Sequence, residues 1–327
     1  MEKTLKNRFS KQSKLTLIML AILGILIIVI SLVQPSFLNS SNIRNIITQQ
    51  SILVIVGVSI TFLMITGNFD LSIGSIIGAS GVMCAWFCQP ASYGGLGLPF
   101  AIAVILASFV GLLIGALNAF LVVKLGMASV VATLGTMSIA RGLAYIFANG
   151  SMIEVGLPPE FRIFGQVEIA EFFTIPVITM IVLVLVFMFI QNKTVFGRQI
   201  FYIGANRKAA ELSGVKVNKR ISTLFMMSGL IAGFAGVLLA SKLGAGDCKV
   251  GVGYEFDTVV AVVLGGTSMQ GGSGSVIGMV IGVFIIGVLQ NALNLFAAAP
   301  EWQVIVKGIV IIAAILLQRA AINKMNK

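Results

Sequence analysis

Long apolar runs recur along the whole chain, separated by short polar stretches. A helix that crosses a bilayer needs about 20 mostly apolar residues, with a range of about 17–25. By that measure ten segments read as spans, near 15–33, 48–66, 71–88, 98–123, 127–148, 172–191, 221–241, 255–267, 274–296 and 302–318. The eighth is too short to cross alone. It is either a half-helix or a span completed by Gly-rich backbone lying within protein. Only 10% of residues are charged and 58% are hydrophobic, against roughly 25% charged in a soluble domain. A soluble globular fold, a disordered chain and a disulfide scaffold are excluded. The expectation is an all-α polytopic membrane protein, one transmembrane domain over residues 1–327.

Ten spans put both termini on one side. That side receives 16 of the 22 Lys and Arg residues, in the N-terminal segment, at Lys124, in the loop 192–220 and after the last span. The other side receives four: Arg44, Arg162, Lys242 and Lys249. Arg141 and Lys307 fall within spans. Basic loops stay in the cytoplasm, so both termini and the loop 192–220 are expected there. The loop 149–171, with Glu154, Glu160, Glu168 and Glu171, is expected outside. In a soluble protein the net charge of +11 would raise nucleic acid as a partner. Topology accounts for it here, and no nucleic-acid partner is expected. The basic N-terminus before an apolar run resembles a signal peptide. The run is 19 residues long with no small-x-small site after it, and reads as an uncleaved first span.

Histidine is absent, which removes the usual general base and the commonest transition-metal ligand. No metal site and no catalytic residues are expected. Cys84 and Cys88, four apart on one helix face, and Cys248 read as small apolar core residues. There is no G-x-x-x-x-G-K-[ST] phosphate loop. The Gly-rich run Gly265–Gly274 carries no Lys and reads as a tight cytoplasmic turn. The chain is expected to bind no cofactor and to be no enzyme.

Two pairs of short segments look alike. Gly67-Asn68-Phe69-Asp70-Leu71 opens span 3 and Tyr254-Glu255-Phe256-Asp257-Thr258 opens span 8. Ala116-Leu117-Asn118-Ala119-Phe120 ends span 4 and Ala292-Leu293-Asn294-Leu295-Phe296 ends span 9. Both pairs are offset by five spans, an odd number, so the copies run in opposite directions. This predicts an inverted repeat, an arrangement whose interface often holds a transport path.

In the loop 192–220, Asn206 suits a helix N-cap and Gly214 a stop. The enclosed helix, about two turns, is marginal alone in water and needs a docking surface. Ala209-Ala210-Glu211-Leu212-Ser213-Gly214 resembles the A-A-x-x-x-G core of the cytoplasmic coupling motif of ABC importer permeases, with Lys208 where a Glu often stands. Gly67-Asn68-Phe69-Asp70-Leu71-Ser72-Ile73-Gly74-Ser75 resembles the G-x-x-D-L-S-x-G-S signature of the ribose-type sugar permeases, with Asn68-Phe69 in place of the commoner Gly-Ile. Thr133-Leu134 through Arg141-Gly142 and Gly253-Tyr254-Glu255-Phe256-Asp257 through Thr267-Ser268 resemble the same family. The resemblance runs from about residue 15 to 318. It implies a bacterial inner-membrane subunit that pairs with a second permease copy. It further implies two cytoplasmic ATP-binding cassettes, which hold ATP and Mg, and an external sugar-binding protein. Asn206, Arg207, Lys208, Ala209, Ala210, Glu211, Leu212 and Gly214 then form the segment that couples to the ATPase. Ala209 and Leu212 share the docking face, and Ala210→Glu is expected to block docking without disturbing the spans.

Polar residues inside a membrane are functional candidates. Asn68, Asp70, Ser72, Asn118, Arg141, Asp257 and Asn294 are the candidates for the translocation path or its gate. Asp70 and Asp257 read either as helix N-caps or as gate residues. Arg141 either snorkels outward or contacts the binding protein or gate, and Lys307 snorkels. Asn118, Gln290, Asn291 and Asn294 read as bonds between helices. An ion-coupled secondary transporter would need titratable groups mid-span, whereas these map near span ends. A structural or receptor protein is disfavoured by the repeat. Permeases of the same superfamily for branched-chain amino acids or nucleosides are the near alternative.

Overall fold

The computed structural model describes residues 2–170, 172–299, 301–306, 308–309 and 312–313, with side chains from residue 16 onward. Glu171, Lys307 and most of the tenth expected span lie outside the described residues. The order is α1 (Glu2–Val33), α2 (Ser40–Ile65), α3 (Ile73–Cys88), α4 (Phe100–Ala119), α5 (Ser129–Phe147), α6 (Pro159–Gln166), α7 (Ile175–Lys193), α8 (Val195–Ala205), α9 (Arg207–Leu212), α10 (Val217–Leu243), α11 (Tyr254–Leu264) and α12 (Val276–Leu295). A two-stranded antiparallel hairpin, β1 (Glu168–Ala170) and β2 (Phe173–Thr174), follows α6. Helix resumes at 301–306, where the tenth span was expected. Among the described residues, seven helices are long and apolar enough to cross a membrane. α3 has 16 residues and α11 only 11. At about 1.5 Å per residue α11 is a half-helix, which decides between the two readings of span 8.

Two faces can be told apart from contacts alone. At one, α8 and α9 meet the end of α2 and the start of α10. Gly272 N–H donates to the Ile65 carbonyl at 2.8 Å, and the α-carbon of Gly204 presses on that same carbonyl. Arg220 donates to Gln199 at 2.7 Å and Arg207 to Asn218 at 2.9 Å. This face carries Lys193, Arg198, Arg207, Lys208, Lys216, Lys219 and Arg220, and is called the basic face below. At the opposite face, residues 159–170 meet the start of α2 and the end of α10. Arg44 pairs with Glu168 at 2.8 Å, Gln166 donates to the Lys242 carbonyl at 3.0 Å, and the Ser241 hydroxyl donates to the Phe161 carbonyl. α2 and α10 are therefore antiparallel.

These two helices are the centre of the molecule. α2 packs on α11 and α12, and α10 on α3 and α4. The pattern of long helix, non-helical break, short helix and long helix occurs twice, with the partners exchanged between copies. Close approach is made by small residues, as in membrane interfaces generally. A Cβ on Gly111 of α4 would lie 2.8 Å from the α-carbon of Gly233, and one on Gly229 of α10 at 2.8 Å from that of Gly115. The outer helices α1, α5 and α7 expose Ile25, Val131, Ile139, Leu185 and Phe189. Helices whose backbone bonds are all internal can present such surfaces to lipid.

Candidate functional site

After α2 ends, the chain runs without helix from Thr66 to Ser72. Backbone N–H groups in such a segment lack helical acceptors and must find others when buried. Phe69 N–H donates to Ser129 Oγ and Leu71 N–H to Thr133 Oγ1, each at 3.1 Å. Both acceptors belong to the first turns of α5. Asp70 is 0% exposed. Its Oδ1 accepts from Ser72 N–H at 3.0 Å, Ser72 Oγ at 2.5 Å and Asn118 Nδ2 at 3.3 Å. Its Oδ2 accepts from Ser228 Oγ of α10 at 2.9 Å. Asn118 also donates to Ser72 Oγ at 2.9 Å and accepts from Thr136 Oγ1 at 2.5 Å. One node thus ties α3, α4, α5 and α10 together.

The node changes the reading of Asp70. It is not the N-cap of α3: Ser72 occupies that position and makes no side-chain cap bond. α3 starts two residues later than expected, and the carboxylate reaches across to α10 instead. Asn68 stays outside the node, donating locally to Thr66 Oγ1 at 3.0 Å. Thr133, Thr136 and Ser228 were not singled out by the sequence reading. Their signal was available: Thr133 and Thr136 are three apart on one face of α5, and Ser228 interrupts a Gly- and Ala-rich stretch of α10. Hydroxyls inside a span face protein, where they bond between helices.

A second junction forms where α3 and α11 begin. Arg141 does not snorkel outward. Its Nη1 donates to the carbonyls of Cys248 at 2.5 Å and Val250 at 2.8 Å, and its Nη2 to that of Gly74 at 3.2 Å. The carbonyls of Cys248 and Val250 lie in the non-helical segment 244–253, where the guanidinium fork supplies them with donors. Glu255, in the first turn of α11, is 5% exposed. Its Oε1 accepts from Gly253 N–H at 3.2 Å. Its Oε2 is buried with no hydrogen-bond partner among the described residues. The missing side chain of Gly74 leaves the room that this oxygen and the Gly251 carbonyl enter. Asp257 is not an N-cap either. Gly253, at φ +87°, holds that place, and Asp257 faces a separate cavity with Gln50 of α2.

The paired asparagines part company too. Asn118 is buried in the node, while Asn294 is exposed at the end of α12 and accepts from Gln303 at 2.9 Å. Asn291 exchanges two bonds with Asn42 at 2.8 and 2.9 Å, the interhelical role expected of it.

On the basic face, α9 follows its expected bounds closely. Asn206 Oδ1 accepts from Ala209 N–H at 3.0 Å, and Gly214 adopts φ +81°. The preceding α8 was not foreseen, although Thr194 caps it by accepting from Gly197 N–H at 3.0 Å. Arg207, Lys208, Ala209 and Glu211 are exposed, and Leu212 is 84% exposed. Ala210 is 3% exposed and packs into the protein's own core. Ala210→Glu would therefore injure the fold itself, contrary to expectation, because α9 lies on its own chain through that residue.

The family described as branched-chain amino acid transport system, permease component, matches residues 42–315. The chain is 39% identical over 300 residues to the ribose import permease protein RbsC of Bacillus subtilis, covering 91% of this chain and 90% of that one. The chain belongs to this permease family. It is 35% identical to the ribose import permease protein RbsC of Escherichia coli K12, over 90% of both chains. It is also 35% identical to the galactose/methyl galactoside import permease protein MglC of the same strain, over 90% of this chain and 91% of that one. No solved structure matches the chain. A member of this family is a multi-pass membrane transport subunit and not an enzyme.

Proposed function

We propose that this chain is the membrane-spanning permease subunit of an ATP-driven importer, and that its cargo is a monosaccharide, ribose or a related pentose or hexose. The observation that carries this reading is the 39% identity to a ribose import permease over nine-tenths of both chains. Galactose and arabinose permeases among the other relatives keep the sugar class and leave the member open. Cytoplasmic ATP-binding cassettes, holding ATP and Mg, would supply the work. An external sugar-binding protein would deliver cargo, and a second copy of the permease would complete the pathway. The positive-inside rule assigns the basic face to the cytoplasm of the bacterial inner membrane, with both termini on that side. α9 supports the coupling role: it is capped at one end, stopped at the other, and turns Leu212 away from its own protein.

The test is uptake of labelled pentoses and hexoses by cells with and without this chain. Sugar-dependent accumulation that needs the chain is expected; uptake of a branched-chain amino acid in place of any sugar would overturn the reading. Leu212→Asp tests coupling in the same cells. Membrane abundance should stay at the wild-type level while ATPase association and uptake fall together at least tenfold. If both persist, α9 is not the docking element.

A further inference from the structure

A cavity of about 350 Å³ lies toward the opposite face, between α2, α10, α11 and α12. Three carboxamides, Gln49, Gln50 and Gln290, line it together with Asp257, Tyr254 and Lys242. Leu53 and Leu239 supply apolar wall. We infer that this cavity is a monosaccharide-binding chamber within the permease itself, a station on the import path.

Gln50 points to a ligand. It is 4% exposed and sits in the interior of α2, where an apolar residue would pack without penalty. Gly287 of α12 leaves the space its carboxamide occupies: a Cβ there would collide with it. Yet Gln50 Oε1 has no hydrogen-bond partner among the described residues. A buried acceptor left unsatisfied is costly, and a turn of the Gln50 carboxamide toward the cavity it lines would bring it within reach of a donor from outside the chain. A sugar hydroxyl is such a donor, and carboxamides can donate and accept at once, as vicinal hydroxyls require. The carboxylate and ammonium of Asp257 and Lys242 balance in charge, which suits a neutral ligand. Leucine walls suit the C–H face of a sugar ring. The volume lies at the small end of the range for ligand pockets, about 300–1,000 Å³, so the cargo is small.

The inference rests on the sugar-import reading, and the experiment separates the two. Membranes holding the complete transporter, without the external binding protein, are probed by saturation-transfer NMR with ribose, galactose and leucine in turn. Uptake is measured in parallel in intact cells. Transfer to a sugar is expected with the wild type, falling at least fivefold in Gln50→Leu and in Gln290→Leu. Gln50→Leu should leave the thermal midpoint unchanged or raised, because it removes an unsatisfied group. In cells it should raise KM for uptake more than it lowers the maximal rate. If cells import a sugar but the membranes show no transfer, or the transfer survives Gln50→Leu, the chamber is refuted and the import reading stands. If no sugar is imported, both fall; transfer to leucine alone would make the cavity an amino-acid site and overturn the inference.

Discussion

Segment 66–72, which joins α2 to α3, is tied by side chains of three neighbouring helices; segment 244–253, which joins α10 to α11, is held by one guanidinium, a backbone bridge between Gly246 and Ile153, and its own turns. In the first, Asp70 accepts four hydrogen bonds from three residues and two backbone N–H groups are answered by hydroxyls of α5. In the second, Arg141 holds two carbonyls of the segment and that of Gly74, while the neighbouring Glu255 keeps an oxygen without a partner among the described residues. The two breaks occupy corresponding places in the two copies of the pattern, so topology did not impose the difference. Fully satisfied buried networks rigidify, and partly satisfied ones are the weak points of a structure. The first break therefore reads as scaffold, and the second as the part that can rearrange during a transport cycle.

Removing the Asp70 carboxylate is the strongest way to break that contrast. Asp70→Ala strands the hydroxyls of Ser72 and Ser228 and one carboxamide in a dry interior. Each buried polar group left without its partner costs about 1–3 kcal/mol. The variant should fall steeply in folded yield and thermal midpoint in detergent, and lose uptake in proportion to the protein lost. A stably folded but inactive Asp70→Ala protein would instead make Asp70 part of the gate and reverse the assignment of scaffold and mover.

Arg141→Lys should act less on stability and more on transport. Lysine keeps the charge but replaces a planar fork by a point donor, so it cannot span the carbonyls of Cys248, Val250 and Gly74 together. Loss of one or two charge-assisted bonds costs about 1.5–3 kcal/mol each at most. Uptake per folded molecule should drop at least fivefold while the yield falls modestly. Wild-type uptake per molecule would show that the three-carbonyl clamp has no part in the cycle.

The sequence made much of this visible, for physical reasons. Hydrophobic length located every long helix among the described residues, because a bilayer sets one length for all of them. Short look-alike segments located both breaks. They did not locate equivalent side chains: Asp70 precedes its helix and joins four elements, while Asp257 sits within the first turn of its own. Asn118 is buried and Asn294 exposed. Repetition preserves the backbone path more than the partners each side chain meets. Arg141 misled because position along a span says nothing about what lies beside it; here the non-helical segment 244–253 brings the carbonyls of Cys248 and Val250 to it. Ala210 misled in the same way, its burial being decided by the body beneath α9. The glycines of α4 and α10 were visible as letters, but their pairing required the packed structure.

Glu255→Gln is the smallest perturbation and the sharpest for the comparison. The substitution keeps size and shape, and the remaining oxygen can still accept from Gly253 N–H. The atom replacing Oε2 becomes a donor, in the space left by Gly74 that the Gly251 carbonyl also enters. An unsatisfied acceptor is thereby replaced by a donor beside an acceptor, the Gly251 carbonyl, a gain of about 1 kcal/mol. Against this, the attraction between a carboxylate and the Arg141 guanidinium is lost. The two effects oppose each other, so the thermal midpoint should move by less than about 1 kcal/mol equivalent in either direction. If segment 244–253 is the moving part, fastening it in one arrangement slows its exchange with others. Maximal uptake should then fall severalfold while abundance and midpoint hold. The same exchange at the first break, Asp70→Asn, should do the reverse: lower the midpoint through mismatched hydrogens facing Ser72 or Ser228, with activity per folded molecule retained. Equal responses at 70 and 255 would mean the two breaks are mechanically alike, and that the unpartnered oxygen of Glu255 marks no difference in mobility.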